Sequence, residues 1–154
     1  MVTPEVLLRY CDEALDGYER ICRRLGDDLV AAPLAEVPGS NSAFAVVAHV
    51  CGVMGFWGRT TNRGIPVARD RAAEFTATGT VEEALALLDA ARVRLHEDVA
   101  AAEADRPPAD PPGERLEPEY ATQGDVLLHV YEELAQHLGQ LEVTRDVLLA
   151  RRPG

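Results

Sequence analysis

A chain of 154 residues is one domain in size, long enough to bury a core without disulfides or a structural metal. Hydrophobic residues make up 47% and aromatics only 5%, so alanine, leucine and valine must fill the interior, which favours helices over a β-sandwich. The 15 basic and 26 acidic residues leave a formal charge of −11, which repels phosphate backbones and argues against a nucleic-acid partner.

The chain reads as four helices. Thr3 opens the first, with Pro4 suited to the first helical position and Glu5 favourable beside the positive end. Leu7, Leu8, Cys11, Leu15, Tyr18, Cys22 and Leu25 recur at three- and four-residue spacing, and Gly26 offers a stop. Residues 32–39 form a loop, and Asn41 or Ser42 caps a second helix from about Ala43 to Arg63. Residues 64–79 are a long connection carrying Pro66 and the charged run Arg69-Asp70-Arg71, which ties it to the body. Thr80 and Glu83 make a capping box for helix three, which runs through Leu88 and Leu95 to roughly Ala104. His96 falls on its solvated face. Five of the ten prolines lie between Arg106 and Pro118, a surface loop. Thr122 with Asp125 then caps a fourth helix from about Gln123 to Ala150. With no strand pattern and no repeat, residues 1–154 are expected to form one all-α domain, an antiparallel four-helix bundle with a long crossover between helices two and three.

The longest apolar stretches look too short and interrupted to cross a bilayer, and the N-terminus lacks a signal-peptide pattern, so a cytoplasmic protein without a membrane partner is expected. Every basic residue is arginine, a composition that fits a GC-rich source. The three cysteines show no metal-ribbon or redox spacing and read as small buried residues.

The informative residues are polar ones on apolar faces. On a 100° wheel with Glu133 at zero, Leu148, Val130, Leu141, Leu134, Leu127 and Leu138 form a stripe from about 60° to 140°, and His137 falls near 40°. Glu133 and His137 thus point the same way from the margin of the core. His49 is central to the apolar face of helix two, among Val46, Val50, Val53 and Trp57. Burying an ionisable group there costs several kcal/mol unless it is partnered. Taken singly, His49 reads as a hydrogen-bonded core residue, and Glu133 with His137 as a local pair stabilising the helix by about 0.2–0.5 kcal/mol. Taken together, two imidazoles and a carboxylate from facing helices suit zinc, nickel or iron, and three protein ligands leave a position open as in catalytic sites.

The stretch Asn41-Ser42-Ala43-Phe44 through Ala48-His49-Val50 to Phe56-Trp57 resembles the first signature of the DinB superfamily of metal-binding bundles. The run from His129 to Gln140 resembles its second. The resemblance implies an up-down-down-up, often dimeric bundle holding one divalent ion through His49, Glu133 and His137. Glutamate at the first helix-four position departs from the commoner histidine. That departure is shared by members similar to the mycothiol-dependent maleylpyruvate isomerases and mycothiol S-transferases. The implied function is a metal-dependent transferase or isomerase. It would activate a low-molecular-weight thiol, mycothiol in an actinobacterial source, as a metal-bound thiolate that attacks an electrophilic small molecule. Cys51, about 200° from His49 on the wheel, cannot supply the thiol itself.

Around the ligands, His129 is expected in a supporting place or as a substitute ligand, and Gln140 to orient a ligand or bind a held group. Trp57 and Tyr18 wall the pocket or fill the core, with core packing the stronger reading. Arg59 and Arg63 hold an anionic substrate group or complement the end of their helix. Two other functions fit the same residues: a metalloprotein that activates water for hydrolysis or lyase chemistry, and a non-enzymatic small-molecule-binding homodimer.

Overall fold

The computed structural model describes residues 2–110 and 120–151, and among these every regular element is a helix. Residues 111–119 of the proline-rich segment lie outside the described residues. The elements are α1 (Pro4–Leu25), α2 (Ala43–Met54) running on into a π-helical turn (Gly55–Thr61), the four-residue α3 (Arg71–Glu74), α4 (Val81–Ala101) and α5 (Gln123–Ala150).

Side-chain caps set the helix starts. The Thr3 hydroxyl accepts from the Val6 amide and the Ser42 hydroxyl from Ala45, while Thr80 with Glu83 and Thr122 with Asp125 close full capping boxes. Gly26 ends α1 at φ 70°, a left-handed conformation that a side chain would strain. Helix α4 stops at Ala101, three residues before the sequence suggests. The chain turns there to meet the start of α5: Gly124 donates to the Ala104 carbonyl, Gln123 to Arg106, and the Glu103 amide to the Gln123 side chain. Those bonds satisfy polar groups that further helix would have left open.

Helix α1 packs on α4 and α5, and α2 packs on the same two, around one core. Tyr18, Leu15, Val47, Leu88, Leu95 and Leu134 are among its fully buried side chains. Burying each leucine stabilises the fold by about 1.5–3 kcal/mol relative to exposure.

Two features of the second helix depart from the sequence reading. It widens into a π turn at Gly55–Thr61, and the buried Asp98 of α4 lies beside it at Gly58. A helical stretch of 19 residues, Ala43–Thr61, is also long and apolar enough to meet the size of a membrane span, contrary to the expectation above. Its apolarity goes into packing against α4 and α5, as in the core helix of a protein interior. The connection of residues 64–79 is not all loop either. The Asp70 carboxylate accepts from the Ala73 amide and caps the single turn α3, which packs on α2.

Candidate metal centre

Helix α2 carries His49 into the interior, leaving it 3% exposed. Its ring lies flat against Phe75 at 4.7 Å and meets the His137 ring edge-on at 4.8 Å. Across from it, one turn of α5 presents Glu133 and His137. His49 Nε2 lies 3.6 Å from Glu133 Oε2, and His137 Nε2 lies 3.4 Å from that same oxygen. One donor atom from each of the three residues falls within 4.8 Å of the others.

The outer nitrogens define the inner ones. His49 Nδ1–H donates to Glu74 Oε2 at 2.9 Å, and His137 Nδ1–H donates to Gln140 Oε1 at 3.0 Å. In the neutral imidazoles both Nε2 atoms offer lone pairs on the Glu133 side, and the three groups then form a donor set that a cation would complete. Such a set is stable around a cation. Zinc bonds of about 2.0–2.2 Å in tetrahedral geometry put ligand atoms about 3.3–3.6 Å apart, close to the separations of the two imidazoles from Glu133. His49 forms the floor, while Glu133 and His137 are each about a quarter exposed and face outward.

The other residues singled out by the sequence divide around this centre. Gln140 orients His137 as described. His129 stays outside the triad, its Nε2 3.9 Å from the other Glu133 oxygen and its Nδ1 3.2 Å from Glu132. Trp57 stacks near Tyr120 at 4.8 Å and meets the His129 ring at 4.9 Å, so these three rings form a cluster beside Glu133. Tyr18 is a core residue whose hydroxyl donates to the Leu134 carbonyl at 2.8 Å. Burial, then the nearby Cys51 and Glu133, push its phenol well above the ordinary range.

Arg59 and Arg63 turn to α4. Arg59 Nε and Arg63 Nη1 donate to Asp98 Oδ1 at 3.1 and 2.6 Å, and Arg59 also pairs with Glu97. His96 is exposed as expected and contacts Asp12. Cys11 and Cys22 are buried, and burial pushes their thiols up to about 12 and about 11; Cys51, half-buried as a residue, is likewise pushed up to about 12.

The sequence reading missed Glu74, Phe75 and Gly52, and it named Arg69 only as part of the run that ties the connection to the body, without its partner. Arg69 holds Glu74 through Nε to Oε1 at 2.7 Å and Nη2 to Oε2 at 3.1 Å. Burial opposes the Glu74 charge, but hydrogen bonds from Arg69 and His49 outweigh it and hold the carboxyl below its ordinary value. The available signal was Asp70 followed by Arg-Ala-Ala-Glu, a cap before a short run of helix formers.

No curated protein and no solved structure matches the chain. A family model described as mycothiol-S-transferase matches residues 6–149, nearly its full length. The chain belongs to the mycothiol-S-transferase family, a DinB-like family.

Proposed function

We propose that this protein is a divalent-metal-dependent thiol S-transferase, with His49, Glu133 and His137 as the ligands and zinc as the metal. The observation that carries the reading is the convergence of two imidazole Nε2 atoms and one carboxylate, each imidazole held from behind by an acceptor at Nδ1. A divalent ion held there supplies the Lewis acidity that deprotonates a thiol at neutral pH.

The residues of the chain do the rest. His49 and His137 offer neutral nitrogens, and Glu133 offsets one of the two positive charges. The outward exposure of Glu133 and His137 leaves the centre approachable from solvent. No cysteine of the chain supplies the nucleophile, because all three thiols stay protonated at neutral pH. The thiol is therefore a small molecule, and the family points to mycothiol with an electrophilic acceptor. The cluster of Trp57, Tyr120 and His129, with His129 edge-on to the other two rings, offers a half-buried aromatic wall against which such an acceptor can pack. Arg59 and Arg63 act on Asp98 and need not touch substrate. The reading includes an up-down-down-up four-helix bundle, a homodimer and a cytoplasmic setting, where unpaired buried cysteines persist.

Turnover of a chromogenic electrophile by zinc-loaded protein, with and without mycothiol, tests the proposal. Product formed only with the thiol, and abolished in Glu133→Ala, is the expected result. Equal turnover without thiol would mean that water is the activated nucleophile. No turnover with any thiol and electrophile would leave the bundle as a binding protein.

A further inference from the structure

The connection of residues 64–79 supplies no donor to the triad, yet it is fastened to the triad's most buried member. Helix α3 is a single turn, too short to persist by its own hydrogen bonds. It ends in Glu74, a carboxylate buried to 8% exposure at the tip of a surface connection. Burial of that kind is tolerated only with full pairing. Glu74 has it: a two-pronged grip from Arg69 and the proton on His49 Nδ1. Arg69 is itself braced, its guanidinium carbon 5.5 Å above the Phe56 ring.

Helix α2 is shaped for this contact. A Cβ at Gly52 would lie 2.0 Å from Glu74 Oε1 and 3.2 Å from Arg69 Nε. Glycine inside a helix is unfavourable, and here its missing side chain is the space the carboxylate occupies. Phe75, the next residue, lies flat on the His49 ring and fixes its plane. A carboxylate only accepts hydrogen bonds, so Glu74 keeps a proton on Nδ1, and in the neutral ring that tautomer presents a bare Nε2 to Glu133.

Resting on the metal-site reading above, the geometry points to Glu74 as a positioning residue that sets the tautomer and orientation of His49, with Arg69 holding Glu74 and Gly52 making room for it. Docking of the connection and loading of the metal are then coupled through one hydrogen bond, and by linkage each strengthens the other.

The test uses the full chain as wild type, Glu74→Ala, Glu74→Gln and Gly52→Ala. Zinc affinity is measured by competition with a chromophoric chelator, and the His49 Nδ1 proton is followed by NMR in the metal-free protein. Gly52→Ala is the sharpest variant, because it pushes the carboxylate away without altering any donor and favours the helix. The expected result is zinc affinity weakened about 10–100-fold in Glu74→Ala and Gly52→Ala. Glu74→Gln should recover most of the loss, since its amide oxygen still accepts from Nδ1. In metal-free Gly52→Ala the Nδ1 proton should exchange too fast to be seen, while the helix content by circular dichroism stays at the wild-type value.

Wild-type affinity in both Glu74→Ala and Gly52→Ala would overturn the inference. So would an unchanged Nδ1 signal in Gly52→Ala. Failure of wild type to bind zinc would instead refute the metal-site reading, and the Nδ1 signal would still decide whether Glu74 positions His49.

Discussion

Replacing Asp98 with alanine separates a structural role for Arg59 and Arg63 from a substrate-binding one. The Asp98 carboxylate is 1% exposed and takes both guanidinium groups on a single oxygen, against the π turn at Gly58. A charge-assisted hydrogen bond contributes about 1.5–3 kcal/mol, and removing one partner of a fully buried pair costs about 3–5 kcal/mol. The arginine side chains, however, are 19% and 27% exposed, so they can turn to water, and Arg59 keeps its exposed partner Glu97. That relief brings the expected loss for Asp98→Ala to about 2–3 kcal/mol. At 2–4 °C per kcal/mol for chains of this length, Tm should fall by about 5–10 °C. Asp98→Asn keeps a neutral acceptor and should lose about 1–2 kcal/mol. Urea melts followed by circular dichroism measure both, and zinc affinity should stay at the wild-type value because Asp98 touches none of the three donors. Asp98→Ala melting with wild type would refute the structural role. Wild-type stability combined with lost turnover would return the two arginines to the substrate.

Three further outcomes follow from the same geometry. Folded protein at pH 7.5 should resist a maleimide at all three cysteines and take up three equivalents once unfolded; a thiol labelled in the folded state would reopen the question of a protein nucleophile. Tyr18→Phe removes one buried hydrogen bond to Leu134 and should cost about 0.5–1.5 kcal/mol in a urea melt without changing zinc affinity, and a large loss of affinity would place the phenol at the metal face instead. Folding holds the Glu74 carboxyl below its ordinary value, so its contribution is complete above the usual carboxylate range and fades as pH falls through the lowered value. The stability gap between wild type and Glu74→Gln should accordingly shrink on acidification from pH 6, and a gap that widens would contradict the sign.

The residues legible in the sequence are those whose partners are local. Thr3, Thr80 with Glu83, and Thr122 with Asp125 cap helices through contacts three residues away, so the helix starts could be read in place. His49, Glu133 and His137 were visible because a 3.6-residue period shows which polar side chains intrude on an apolar face. Glu74 was not visible, because its partner lies 25 residues back and its room comes from the side chain that Gly52 lacks. The early end of α4 was hidden for a related reason: its cause is the start of α5, some twenty residues on. Arg59 and Arg63 carry the same ambiguity. A helix wheel shows that they share a helix end, but only the fold shows Asp98 across from them. The π turn at Gly55–Thr61 leaves no mark in an apolar period, because the extra residue in the turn shifts the face without changing which residue types lie on it.

The central claim is that His49, Glu133 and His137 hold one divalent ion. Its most direct test is elemental analysis of protein purified without a His-tag or chelator, beside Glu133→Ala and His137→Ala. The account predicts a near-stoichiometric divalent metal in wild type and its loss in both variants, with each still folded. A metal-free wild type that refolds cleanly with added zinc and binds none would contradict it.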